Sequence, residues 1–152
     1  MTISVAALLD RDPTKLASEL AASARRAGSE AWLEGLGEAL DRHRARAGLG
    51  RVLAIWRLSQ AEAAGLFGVS RQALSKWLAR GVPSDRLEAV ADLAAATDLL
   101  VRHLERDRIP AVVRRPASRL GGHSLLELVS AGQTCDVLAA CRAMFAFDEA
   151  QG

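Results

Sequence analysis

Apolar side chains recur every three or four residues along most of the chain, the spacing that gathers them on one face of an α-helix. Asp12-Pro13 marks a helix start, with Asp as the N-cap and Pro in the first helical position. Ser29 is expected to cap a second helix, whose apolar stripe consists of Trp32, Leu33, Leu36 and Leu40. Because glycine is unfavourable inside a helix, we expect this second helix to end at Gly48 and Gly50.

The rest of the chain also carries helical patterns. Helices are expected over residues 51–80 as three short segments, over residues 85–105, and over residues 136–147. Residues 108–122 are expected to be irregular because prolines interrupt them, whereas Ser124 and Glu127 form a capping box that begins a further helix. Ala and Leu dominate, β-branched residues are sparse, and no strand pattern stands out. These patterns predict an all-α fold.

The stretch QAEAAGLFGVSRQALSKWL, which begins at Gln60, places a glycine and a serine between two short helical patterns, and the serine, Ser70, is expected to cap the second helix. Ala64 supplies the small side chain that closely crossing helices need, and Gly68 tolerates the positive φ of a sharp turn. The second helix would be fixed at a steep angle on the first by four apolar side chains, Phe67, Val69, Leu74 and Trp77. This spacing predicts a helix-turn-helix whose second helix protrudes.

Helical spacing leaves a polar set facing outward from the second helix: Ser70, Arg71, Gln72, Ser75, Lys76 and Arg80. A protruding helix fits the major groove of DNA, where Arg bonds guanine and Gln bonds adenine through two atoms each, while Ser and Lys more often contact phosphate. Gln60 is placed to bind a phosphate oxygen at the start of the first helix. Arg51 and Arg57 could add attraction that is independent of base sequence. Double-stranded DNA is therefore the predicted partner.

Charge is distributed unevenly along the chain. The formal net charge is only +2, but residues 42–81 carry +7 and residues 102–119 carry +4, whereas each of the three remaining segments carries −3. A basic block is the electrostatic footprint expected for a phosphate backbone, although a solvated helix face produces the same pattern. The larger block coincides with the predicted helix-turn-helix, which favours nucleic acid as the partner.

Two segments resemble known families. The helix-turn-helix stretch resembles the Xre and phage-repressor group in its order of Gln, Ala, Gly-Val-Ser and Trp. Residues 109–133 resemble the C-terminal domain of the Xre/MbcA/ParS antitoxin family through Leu120-Gly121-Gly122, the helix start Ser124-Leu125-Leu126-Glu127-Leu128, and Gly132. They depart from that family where Leu125 replaces the usual Pro and where residues 116–118 replace an Asn-containing lead.

The resemblance covers about residues 49–147. It implies a homodimeric autoregulator whose C-terminal part contacts a RES-type toxin that degrades NAD. In that family the last residues of the antitoxin block the toxin's active site, but no blocking residue is assigned here in the tail FDEAQG. We divide the chain into an N-terminal helical extension (residues 1–48), a helix-turn-helix DNA-binding region (49–83) and a small C-terminal helical domain of the Xre/MbcA/ParS type (84–152).

The sequence gives little support for catalysis or metal binding. Its three histidines are scattered, and Cys135 and Cys141, six residues apart, are interpreted as small buried apolar residues and not as metal ligands. No glycine-rich phosphate loop follows a strand. We therefore expect no enzyme activity, no metal and no cofactor. Without a signal peptide or an 18-residue apolar run, the chain is expected to be cytoplasmic, nucleoid-associated and without membrane contact.

Two functions fit these observations. The first is a sequence-specific transcriptional regulator, a dimeric repressor that either pairs with a toxin or acts alone. The second is a protein-interaction module that neutralises a RES-type toxin with little or no readout of DNA.

Overall fold

The computed structural model describes residues 12–26 and 30–149. Within these ranges all regular structure is helical, which confirms the all-α prediction. The helices are α1 (Pro13–Arg26), α2 (Glu30–Trp56), α3 (Gln60–Phe67), α4 (Arg71–Arg80), α5 (Leu87–His103), α6 (Ile109–Arg114), α7 (Leu125–Ser130) and α8 (Thr134–Glu149). Short 3₁₀ turns lie at Ser84–Arg86, Arg106–Arg108 and Ser118–Leu120.

The chain divides into two compact units, residues 1–40 and residues 41–152. The described part of the first unit contains α1 and the beginning of α2. Asp12 caps α1 as predicted, because its Oδ1 accepts a hydrogen bond from the backbone N–H of Thr14 at 2.8 Å. The cap predicted at Ser29 lies outside the described residues. Trp32 and Leu40 of the predicted stripe are 52% and 58% exposed.

The second helix continues where the sequence predicted an end. The expected break at Gly48 and Gly50 is wrong, since α2 passes through both residues to Trp56. Gly48 instead allows a close approach to α5: a Cβ built on it would lie 3.3 Å from the Cβ of Ala94. A helical glycine costs about 1 kcal/mol relative to alanine, and burial of Leu49 and Trp56, both 0% exposed, offsets that cost.

Helix α2 forms part of two hydrophobic cores in the unit of residues 41–152. One of its faces places Leu49 and Leu53 in the core of the helix-turn-helix, together with Leu74 and Trp77. The adjacent face contributes Val52 and Trp56 to a second core, which is built mainly by α5 to α8. The predicted regions 49–83 and 84–152 therefore share a helix as a common wall.

The C-terminal part contains one helix that the sequence analysis missed. Residues 109–114 were expected to be irregular, but they form α6, with Pro110 in its first turn. Proline is tolerated there because the N–H it lacks would have had no partner within the helix. The capping box at the start of α7 is confirmed: the Ser124 hydroxyl accepts from the N–H of Glu127 at 3.2 Å, and the Glu127 carboxylate accepts from the N–H of Ser124 at 2.6 Å.

Candidate nucleic-acid interface

The turn between α3 and α4 has the geometry that the sequence predicted. Gly68 adopts φ +64° and ψ 33°, in the left-handed region, and the N–H of Val69 donates to the carbonyl of Ala64 at 2.9 Å. No atom lies within 4 Å of a Cβ built on Gly68. Glycine is therefore needed for its backbone conformation and not for space.

Helix α4 is fixed to the protein through its inner face. Leu74 is fully buried, Trp77 is 7% exposed, and the Phe67 ring meets the Trp77 ring edge-on with centroids 5.7 Å apart. The Ser70 hydroxyl caps the helix by accepting from the N–H of Ala73 at 3.1 Å, as predicted. With its inner face buried and its first turn capped, α4 presents the opposite face to solvent in a defined orientation.

Arg86 strengthens this arrangement, and the sequence analysis did not identify it. Its guanidinium donates to the carbonyl of Phe67 at 3.3 Å and lies 5.9 Å from the centroid of the Trp77 ring. It thus links the end of α3 to the middle of α4. Arg86 is the one cation in an otherwise acidic segment, residues 82–101, so averaging the charge over that segment concealed it.

Six of the nine predicted DNA-contacting residues belong to two neighbouring helix surfaces and line one open concavity of about 640 Å³. We call this the recognition surface: Gln60, Arg71, Gln72, Ser75, Lys76 and Arg80. All six side chains are exposed, three of them are cationic, and none of the described residues that line the concavity is acidic. Ser70, which is also exposed, lies at the N-terminal end of this surface as the cap of α4.

Gln60 owes its position to a second capping box. The Ser59 hydroxyl accepts from the N–H of Glu62 at 3.2 Å, and the Glu62 carboxylate accepts from the N–H of Ser59 at 2.8 Å. Gln60 is the first residue of the helix that this box begins. The hydrogen bond from the Ser59 backbone, followed by that with its hydroxyl, lowers the pKa of Glu62. The carboxylate is therefore held in its charged form at the start of α3, where the helix dipole favours it.

Arg51 and Arg57, the two remaining predicted residues, do not line the recognition surface. Arg51 forms an ion pair with Asp98 of α5. Arg57 pairs with Asp107, with 2.7 Å between Nη2 and Oδ1, and its φ of +52° ends α2. Each cation thus has a carboxylate partner within the protein, which reduces its attraction for phosphate. Helical spacing predicted which residues of α4 face outward. It carries no information about ion pairs between residues that are far apart in the sequence.

Arg114 of α6 holds the end of α2 and was also missed. Its Nη1 donates to the carbonyl of Trp56 at 2.9 Å, and its Nη2 donates to the carbonyl of Arg57 at 3.1 Å. The same guanidinium lies 3.8 Å from the Glu62 carboxylate at the start of α3. It satisfies carbonyls that the helix end leaves without partners, and it connects the helix-turn-helix to the C-terminal helices.

The described residues also bear on metal binding, thiol chemistry and membrane contact. Among them, no group of three or more His, Cys, Asp or Glu side chains is arranged to hold a metal ion. The prediction that Cys141 is a small buried residue is confirmed, and burial raises the pKa of its thiol to about 11. The same prediction is wrong for Cys135, which is exposed. No helix in the described ranges has the length and apolar character required to cross a membrane.

Comparison with known proteins shows a likeness of fold. No protein-family model matches the chain, and no curated protein matches it. Its fold is similar to that of a chain in the crystal structure of the M. tuberculosis MbcT-MbcA toxin-antitoxin complex, with 25% sequence identity and a TM-score of 0.54. The likeness covers 65% of this chain and 91% of that chain. Over 65% of its length, the protein therefore shares a helical fold with a component of a toxin-antitoxin complex, while the Xre type of its helix-turn-helix stays a prediction.

Proposed function

We propose that the protein is a sequence-specific DNA-binding regulator that reads the major groove with α4 and also acts as an antitoxin. The observation that carries the DNA part is the recognition surface. Its six exposed polar side chains come from two helices, carry three cations and meet in one open concavity. A face with this composition, on a helix anchored through its other face, has the shape and charge that the major groove requires.

The residues of the recognition surface fall into two groups, those assigned to base edges and those assigned to phosphate. Arg71 and Gln72 lie in the first turn of α4, the part of a recognition helix that contacts base edges. Arg bonds O6 and N7 of guanine, and Gln bonds N6 and N7 of adenine, so this pair is assigned to base readout. Ser75, Lys76 and Arg80 follow along the helix and are assigned chiefly to phosphate, as is Gln60 at the start of α3.

The antitoxin part rests on the likeness to a chain of a toxin-antitoxin complex. We propose that the C-terminal helices bind a toxin, and the resemblance seen in the sequence points to the RES type. A homodimer would place two copies of α4 about 34 Å apart on a two-fold operator. The protein would then act by binding and not by catalysis, on the nucleoid in the cytoplasm.

Selection of bound duplexes from a random library tests the DNA part, because it yields the site, its symmetry and its half-site spacing together. Arg71→Ala is then expected to reduce discrimination against a changed guanine by about 1–3 kcal/mol, or roughly 5-fold to 150-fold. Arg142→Ala is the matched control, since Arg142 is exposed on α8 and lies outside the recognition surface. Unchanged operator discrimination by Arg71→Ala in a gel-shift assay with competitor DNA would show that the assigned readout is wrong.

The alternative is a protein-interaction module that neutralises a toxin with little or no DNA readout. The same fold likeness favours it, because the complex in question joins two proteins. Co-expression of this chain with the product of a neighbouring reading frame distinguishes the two functions. A stable complex from a wild-type protein that shows no salt-dependent DNA binding favours the interaction module, whereas selective binding to one duplex family favours the regulator.

A further inference from the structure

The arginines of residues 42–46 lie on a helix that contacts the C-terminal end of α4. Arg46 Nη1 donates a hydrogen bond to the carbonyl of Ala79 at 3.0 Å. A Cβ built on Gly81, the residue after α4, would lie 3.5 Å from the Cβ of Arg42 and 3.6 Å from its carbonyl oxygen. Residues four apart share one face of a helix, so Arg42 and Arg46 face the turn of α4 that carries Arg80.

The bond between Arg46 and Ala79 holds a cation at the end of the proposed recognition helix. Helix C-termini carry partial negative charge, so a guanidinium is favourable there. A guanidinium has five N–H donors in a fixed fork, and the bond to Ala79 uses one of them. The remaining donors belong to a group held at Ala79, the residue that precedes Arg80 of the recognition surface.

The dimensions of α4 indicate where Arg42 and Arg46 lie relative to bound DNA. A helix of ten residues is about 15 Å long, and the major groove is about 12 Å wide. Because the first turn of α4 is assigned to the bases, we expect cations beyond its C-terminal end to meet the sugar-phosphate edge of the groove. We propose that Arg42 and Arg46, together with Arg80, form a phosphate-binding shelf that extends the recognition surface onto α2. This inference rests on the proposed DNA-binding function.

Arg44 provides a matched control on the same helix. It is exposed, like Arg42, but it points to the side of α2 that faces α5. There it lines a cavity of about 500 Å³ together with Leu87 and Val90. Replacing Arg44 removes the same charge from the same helix without touching the shelf.

The experiment uses the full chain and the duplex recovered by selection, alongside a scrambled duplex of equal length. The dissociation constant is measured from 50 to 200 mM KCl for the wild type and for Arg42→Gln, Arg46→Gln, the double variant and Arg44→Gln. Each phosphate contact contributes about 0.9 to the slope of log affinity against log salt, so the double variant is expected to lose about 1.8 from that slope. Across a fourfold change in salt, this difference amounts to about 12-fold in affinity.

The loss should be equal for the selected and the scrambled duplex, because phosphates carry no sequence information. Arg44→Gln should reduce the slope clearly less than Arg46→Gln does. A double variant with the wild-type slope, or an Arg44→Gln variant that reduces it as much as Arg46→Gln, overturns the shelf while leaving the proposed function standing. A wild-type protein without salt-dependent DNA binding overturns both. Gln at position 46 retains a donor for the Ala79 carbonyl, and Arg46→Gln alone decides the outcome if the double variant unfolds.

Discussion

Two glycines three residues apart should respond in opposite directions to replacement by alanine. Gly65 lies inside α3, whereas Gly68 has φ +64° in the turn that follows. A Cβ meets no atom within 4 Å at either position. The pair therefore isolates the effect of backbone conformation from that of packing.

The expected magnitudes follow from the two backbones. Alanine in the left-handed region costs about 1–2 kcal/mol, and its restriction of the unfolded chain returns about 0.4–1 kcal/mol, so Gly68→Ala should destabilise the fold by roughly 1 kcal/mol. In a helix, alanine is better than glycine by roughly 0.5–1 kcal/mol, so Gly65→Ala should stabilise it by that amount.

Urea unfolding of the full chain, followed by tryptophan fluorescence and circular dichroism, measures both changes. Trp56 and Trp77 lie in the two cores of the unit of residues 41–152 and report on it directly. Gly68→Asn is a further control, because asparagine tolerates the left-handed region better than alanine does and should lose less stability. A neutral or stabilising Gly68→Ala, or changes of equal sign at both positions, would refute the assigned turn geometry.

Three further predictions concern packing, pH and thiol chemistry. Leu74→Ala should cost about 2–5 kcal/mol of unfolding free energy, since Leu74 is fully buried; a loss below 1 kcal/mol in urea unfolding would contradict the core assignment. The folded-state pKa values of Glu62 and Glu127 are lowered from 4.5 by hydrogen bonds within their capping boxes, so their stabilisation is present above that pH and is lost as the pH falls through the lowered values. In the double variant Glu62→Gln and Glu127→Gln, the free energy of unfolding should therefore fall less steeply as the pH is lowered. An acid-unfolding curve that matches the wild type would contradict this assignment. In the native protein, a disulfide reagent at pH 8 should modify exposed Cys135 quickly and Cys141 slowly, because burial raises the pKa of the Cys141 thiol to about 11; two fast phases would argue against burial.

Local signals predicted the helix-turn-helix well. The left-handed turn at Gly68, the cap at Ser70 and the outward face of α4 depend on residues within one or two helical turns of each other, and spacing captures such relations. The six residues of the recognition surface were all identified from the sequence, and the structure brings them together.

Features set by distant contacts were not predictable from spacing. The sequence makes Gly48 a helix breaker, but its close approach to Ala94 on α5 depends on tertiary packing, which overrides intrinsic propensity. The interactions of Arg51 and Arg86 could not be predicted from spacing either, because their partners lie 47 and 19 residues away along the chain. Pro110 was interpreted as a helix breaker, but proline is equally compatible with the first turn of a helix, so its presence alone could not decide between the two.

The clamp that Arg114 forms on the carbonyls of Trp56 and Arg57 bears on how such a protein can evolve. A recombination event that exchanged residues 49–83 for another helix-turn-helix would have to preserve the position of these two carbonyls and replace Val52 and Trp56, which form one wall of the C-terminal core. Under the proposed function, new DNA targets are therefore more accessible through point changes at Arg71 and Gln72, whose side chains are exposed. A change of target need not disturb the helices assigned to the toxin.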